Sequence, residues 1–168
     1  MPPRDDKIYL VGFMGSGKTT LARALGRRLG WRVVDIDDEI EARERQTVSD
    51  IFATYGEPYF RQIEREVLLQ LLPERHVVVA TGGGTFVHPD NRADIRRDGI
   101  SVWLDVPLGR LIDRVPSDGR RPLAANRDAF TQLFHERRLV YQQADIHLDA
   151  DDHPVDALVE RLLDRLGW

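Results

Sequence analysis

Gly12 to Thr20 reads Gly-Phe-Met-Gly-Ser-Gly-Lys-Thr-Thr and follows directly on the apolar run Ile8-Tyr9-Leu10-Val11. The stretch fits G-x-x-x-x-G-K-S/T, with Gly12, Gly17, Lys18 and Thr19 at the fixed places. Behind a strand, the glycines let the chain turn tightly, so that backbone N–H groups converge on phosphate oxygens. The helix that starts at Lys18 adds the positive end of its dipole. Lys18 is a point charge able to reach the outer phosphates of a nucleotide, and the Thr19 hydroxyl is placed to ligate Mg²⁺. Gly15, Ser16, Gly17, Lys18, Thr19 and Thr20 are therefore the candidate nucleotide contacts. The pattern leaves the purpose of the phosphate open: a switch, a motor, a nucleotide-binding module and a kinase all carry it.

Outward from this loop, strand and helix signals alternate. Lys7 to Val11 is a short apolar strand ended by Gly12. Lys18 to Leu29 is a helix with Leu21, Ala22, Leu25 and Leu29 on one face and Gly30 as its stop. Further strands are predicted over 32–36, 77–80, 101–106 and 146–148. Helical stretches fall between them, one from Ile40 and others over 48–54, 59–72, 89–97, 107–115, 127–144 and 154–166. Five strands alternating with helices mean a parallel sheet covered on both faces, hence a three-layer α/β fold in one domain over 1–168. Residues 116–125 carry Pro, Gly, Ser and charges but few apolar side chains, and read as a surface loop between two helices.

The composition suits a soluble globular chain. Its 168 residues, 42% of them hydrophobic, suffice for a real core. A net charge of −4 argues against a general nucleic-acid binder. The lack of cysteine excludes disulfides and thiolate metal sites and fits a reducing cytoplasm. Met1 to Lys7 has no apolar stretch of a secretory signal, and no run approaches the ~18 apolar residues that span a bilayer. The expectation is a cytoplasmic protein with neither nucleic acid nor membrane as partner. The histidines show no metal-ligand spacing: Leu139 stands where the second His of an H-E-x-x-H motif after His135 would be.

The second strand ends in Asp35-Ile36-Asp37-Asp38. In extended backbone Asp35 and Asp37 point to one face, and ligands of open parallel sheets bind outside the carboxyl ends of the strands. One carboxylate can serve Mg²⁺ through a water, and the other can hold an acceptor hydroxyl. Asp38, next to a helix start, reads as a cap. Gly82-Gly83-Gly84 follows the third strand, where it allows close approach to a ligand or simply makes a loose turn. Arg61 and Glu64, three apart on a helix, suggest by themselves a surface pair. By composition alone Arg120 and Arg121 belong to a solvated basic loop, and Arg137 and Arg138 to an ordinary charged helix face.

Taken in order, these pieces resemble the shikimate kinase family from about Lys7 to Leu162. The resemblance rests on Met14 before Gly15 in the glycine loop, Asp35 and Asp37, and Asp50-Ile51-Phe52 leading to Gly56-Glu57. It continues through Phe60-Arg61 with Glu64, Thr81 to Gly84, Arg121-Pro122-Leu123, and Arg138 with Tyr141 before Ala144-Asp145. Thr19-Thr20 stand where many members have Ser-Thr, and either supplies the hydroxyl. The likeness implies a nucleoside-monophosphate-kinase-like P-loop fold with a five-stranded parallel sheet and a mobile lid over about 116–125. It implies transfer of the γ-phosphoryl of ATP to the 3-hydroxyl of shikimate, with Mg²⁺ as cofactor, in chorismate and aromatic amino-acid biosynthesis, by a monomer. Shikimate would occupy a segment of about 37–64. Carried over by position, Lys18 and Thr19 hold phosphate and metal, and Asp35 is the metal carboxylate acting through water. Asp37 holds the shikimate hydroxyls. Arg61 and Arg138 grip the carboxylate beside the Gly82, Gly83 and Gly84 turn. Arg121 is the lid arginine on the phosphates, and Arg114 and Pro154 sandwich adenine.

The chemistry is coherent. A carboxylate calls for bidentate arginines, and phosphoryl transfer is mostly positioning and charge stabilisation. Gluconate kinase is the nearest rival, because gluconate is also a polyol carboxylate. A non-catalytic nucleotide-binding module would be expected to lose Asp37 or a gripping arginine. A GTPase switch would carry N-K-x-D, which this sequence lacks.

Overall fold

The computed structural model describes residues 4–114 and 126–168. The loop expected over 116–125, with Arg121, lies outside the described residues. Strands β1 (Lys7–Val11), β2 (Arg32–Asp35), β3 (Val77–Ala80), β4 (Ile100–Asp105) and β5 (Ile146–Asp149) form one parallel sheet in the order β2-β3-β1-β4-β5. Leu10 of central β1 lies opposite Ala80 on one side and Val102 on the other. The apolar runs of β1 and β3 are buried along their whole length, as strands covered on both faces must be. Edge strand β5 alternates instead, with Ile146 and Leu148 inside and His147 and Asp149 outside.

The helices are α1 (Lys18–Leu29), α2 (Ile36–Glu44), α3 (Val48–Tyr55), α4 (Glu57–Leu71), α5 (Pro89–Asp98), α6 (Leu108–Arg114), α7 (Arg127–Tyr141) and α8 (Val155–Leu166). Helix α1 packs against β2, β3 and α8, while α2 and α3 both pack on α4. Gly26 lets α1 lie close on β2: a Cβ there would overlap Val33 Cγ2 and stand 3.0 Å from the Trp31 carbonyl.

Most elements end within about two residues of the sequence expectation. The junction of β2 and α2 does not. The strand was expected to run through Ile36 and the helix to begin at Ile40, yet the chain turns into helix at Ile36. The cause is Asp35. Its carboxylate accepts the Asp38 N–H at 3.1 Å and so satisfies one of the free donors of a helix start. Asp35, not Asp38, is the cap.

The two rims of the sheet differ. At the N-terminal rim Lys7 is fully buried, and its ammonium lies 2.8 Å from Asp98 Oδ2. The Tyr9 hydroxyl donates to the same carboxylate, and Arg75 pairs with it as well. The C-terminal rim, where the glycine loop leaves β1, opens into a cleft.

Candidate active site

The cleft encloses about 960 Å³ and has a nucleotide wall and an acceptor wall. On the nucleotide wall Gly17 takes a left-handed conformation (φ 97°) that L side chains rarely adopt, and α1 starts immediately after it. Lys18 is 8% exposed and folds back over the loop, its ammonium donating to the Gly12 and Phe13 carbonyls at 2.8 and 2.9 Å. The Thr19 hydroxyl donates to Asp35 Oδ2 at 2.5 Å. Gly15, Thr20 and Arg114 line the same wall, and Arg114 donates to the Gly15 carbonyl at 3.2 Å. The Ser16 hydroxyl is buried in the loop and has no hydrogen-bond partner among the described residues. Pro154 precedes α8, is exposed, and is not among the residues that line the cleft.

On the acceptor wall Asp37 lies in the first turn of α2, not on an extended strand. The same-face argument for Asp35 and Asp37 therefore fails, although both line the cleft because α2 begins at its rim. Across from Asp37 is the glycine turn, and each of its glycines is approached by a charged side chain. A Cβ on Gly82 would stand 2.8 Å from Asp37 Oδ1 and 3.3 Å from Glu64 Oε2. One on Gly83 would stand 3.1 Å from Arg137 Nη1, and one on Gly84 2.5 Å from Arg61 Nη1. The turn is a close approach, not a loose connection.

Arg61 and Glu64 are not a surface pair. Glu64 is 1% exposed, accepts the Arg61 guanidinium at 3.2 Å, and takes the Thr85 hydroxyl at 2.9 Å. Burial works against the Arg61 charge, but Glu64 and Glu57 outweigh it, so its pKa stands above the usual arginine value.

The second gripping arginine was expected at Arg138; the structure places Arg138 outside the cleft and its neighbour Arg137 in it. Arg138 is exposed, lies 3.6 Å from Asp105, and sits over the Trp103 ring. Arg137 is 6% exposed, lines the cleft, and lies over the Phe13 ring of the glycine loop. The reason is helical phase. Phe130, Phe134, Arg137 and Tyr141 form the buried face of α7, and Arg138 falls off it. Counting back from Tyr141 by helical steps would have found Arg137 in the sequence. Burial pulls the Arg137 pKa down, but a guanidinium keeps its charge. The buried Tyr141 hydroxyl, its pKa raised mainly by burial, donates to the Gly83 carbonyl beside it.

A strand, a glycine loop and a helix at the carboxyl rim of this parallel sheet, faced by carboxylates, the buried Arg137 and the half-buried Arg61, define a P-loop phosphotransferase. A model of the shikimate kinase family matches residues 14–167, and the chain belongs to that family. The shikimate kinase of Persephonella marina is 41% identical over 160 residues, covering 95% of this chain and 98% of its own. That of Thermosynechococcus vestitus is 43% identical over 164 residues, covering 95% and 88%. A solved shikimate kinase from Acinetobacter baumannii in complex with shikimate superposes with a TM-score of 0.92 at 33% identity, covering 96% of this chain and 93% of its own. Deoxyadenosine kinase from M. mycoides, at 17% identity and a TM-score of 0.63, shares the fold. The chain is thus a kinase that phosphorylates shikimate at the expense of ATP. The gluconate alternative finds no support among these relatives.

Proposed function

We propose that the two walls of the cleft divide the reaction between them. Lys18 and the loop backbone hold the β- and γ-phosphates, and Arg114 lies toward the base. Asp37 orients the 3-hydroxyl of shikimate toward the γ-phosphorus. Arg61 and Arg137, with the Gly82 to Gly84 turn, take the shikimate carboxylate. The observation that carries this reading is the convergence of two buried or half-buried guanidiniums on one glycine turn, opposite the phosphate loop. Two arginine forks beside a backbone free of side chains suit a planar carboxylate.

The residues also fit Mg²⁺. Among the described residues no group of three or more His, Asp or Glu side chains could hold a metal ion. Mg²⁺ in kinases is held by few protein oxygens together with phosphates and waters, and the hydrogen-bonded Thr19 hydroxyl and Asp35 carboxylate are such a donor set. When bound, the ion neutralises charge on the β- and γ-oxygens. Thr19 would supply a hydroxyl ligand and Asp35 a carboxylate acting through water. Asp37 positions the acceptor hydroxyl, whose oxygen bonds to the γ-phosphorus as the bond from that phosphorus to ADP breaks. Arg121, outside the described residues, keeps the role on the phosphates that its motif gives it, and Pro154 the role on adenine. The loop over 116–125 acts as the lid.

No helix among the described residues is long and apolar enough to cross a membrane. We take the enzyme to be a cytoplasmic monomer, as the family resemblance implies, and its net charge of −4 goes against a nucleic-acid partner. Phosphorus and proton NMR of the product formed from ATP, Mg²⁺ and shikimate tests the assignment of the acceptor. Phosphorus coupled to the proton at carbon 3 is the expected result. Phosphate on another hydroxyl would overturn the placement of Asp37.

A further inference from the structure

Tyr141 is buried behind the cleft, one helical turn after Arg137 on the same face of α7. Its hydroxyl donates to the Gly83 carbonyl. Arg137 reaches the same glycine, since a Cβ there would stand 3.1 Å from its Nη1. The hydroxyl and the guanidinium therefore meet at one backbone position of the acceptor wall. Burial is the largest influence on the Arg137 charge, and Tyr141 comes next, ahead of Arg61, Glu57 and Glu64. The Tyr141 ring lies beside the buried Trp103 of β4, with ring centroids 6.2 Å apart, so the hydroxyl is carried by a packed side chain. A phenol that donates to a carbonyl still has lone pairs to offer a guanidinium.

The two arginines of the acceptor wall are thus set up differently. Arg61 is oriented by the buried carboxylate of Glu64. At Arg137 the neighbour is a hydroxyl that burial, its largest influence, keeps protonated. A neutral group orients a guanidinium without cancelling its charge. We infer that Tyr141 is a positioning residue for the acceptor, holding the Gly83 carbonyl and the Arg137 guanidinium in one arrangement so that the arginine fork is aimed before the shikimate carboxylate arrives. This rests on the reading of Arg137 as a carboxylate-gripping residue. Preorganisation of this kind adds affinity because the side chain need not be ordered on binding.

Tyr141→Phe in the full-length enzyme tests the role, because it keeps the ring and removes only the hydroxyl. Arg137→Lys is the control on the underlying reading. Acceptors are shikimate and an analogue whose carboxylate is replaced by a hydroxymethyl group. For Tyr141→Phe the shikimate KM should rise by about three- to tenfold, the scale of one neutral hydrogen bond. The ATP KM should hold, and kcat should stay within about twofold, as it does when a contact is equal in the ground and transition states. The KM of the analogue should rise less than that of shikimate, because it has no carboxylate for the fork. An unchanged shikimate KM in Tyr141→Phe, while Arg137→Lys raises it, overturns the positioning role and leaves the grip intact. Equal rises for shikimate and the analogue overturn it as well, because the hydroxyl would then act on the cleft at large. An unchanged shikimate KM in Arg137→Lys overturns the grip itself and the positioning role with it.

Discussion

Arg137 and Arg138 are neighbours on α7 with opposite surroundings. Arg137 is sealed between the Gly83 turn and the Phe13 ring, and Arg138 lies outside on Asp105 and Trp103. On the proposed reading it is Arg137, and not Arg138, that touches substrate. Arg137→Lys keeps the charge but loses the planar fork, and should raise the shikimate KM by about 10- to 100-fold, the scale of a hydrogen bond to a charged group. Arg138→Ala should stay within about threefold of wild type, as an exposed pair does. Steady-state kinetics of the two variants decide it, and equal losses would contradict the assignment.

Gly84 offers a probe of Arg61 that leaves the arginine in place. A Cβ at Gly84 would sit 2.5 to 2.7 Å from the guanidinium atoms. Those atoms end a flexible side chain, so Gly84→Ala should displace the head group without unfolding the protein. The shikimate KM should rise about tenfold, the ATP KM should hold, and the melting temperature should change little. An unaltered shikimate KM would mean that Arg61 does not need its observed position.

Asp35 and Asp37 should separate by ligand. Asn caps helices about as well as Asp, so Asp35→Asn should keep the α2 start and lose only the charge. Its Mg²⁺ half-saturation should rise several-fold with shikimate use unchanged. Asp37→Asn should do the reverse, with poor shikimate turnover at saturating Mg²⁺. Superimposable Mg²⁺ and shikimate titrations for the two variants would refute the division.

Gly26 tests the packing of α1 on β2. In a free helix Gly→Ala stabilises by about 1 kcal/mol. Here the added methyl would overlap Val33 Cγ2 and press on the Trp31 carbonyl. Gly26→Ala should therefore destabilise by about 1–3 kcal/mol. Thermal melts read this as a fall of roughly 2–4 °C per kcal/mol for a domain of this size. A rise in melting temperature would show that β2 can move away.

The sheet and the phosphate loop were legible because both rest on local rules. Apolar runs set the strands, and the glycine spacing is fixed by phosphate geometry. The β1 and α1 boundaries came out as read. The acceptor wall was only half legible, because it depends on contacts between distant elements. Nothing local marks Glu64 as buried: its surroundings come from Thr85 and the glycine turn, about twenty residues away. The cap at Asp35 was misread because periodicity did not register that a strand-end carboxylate also starts the next helix. Arg137 is marked in the sequence only by its helical phase with Phe130, Phe134 and Tyr141, which the arginine-to-tyrosine spacing taken alone does not convey.

The central claim is that this cleft transfers phosphate to an acceptor chosen by its carboxylate. ADP release measured with ATP and Mg²⁺ against four acceptors tests it most directly: shikimate, its hydroxymethyl analogue, gluconate, and water alone. Rapid release with shikimate is predicted, at least about tenfold slower release with the analogue at equal subsaturating concentration, and only background with gluconate or water. Release with gluconate or with the analogue that matches the rate with shikimate would contradict the account.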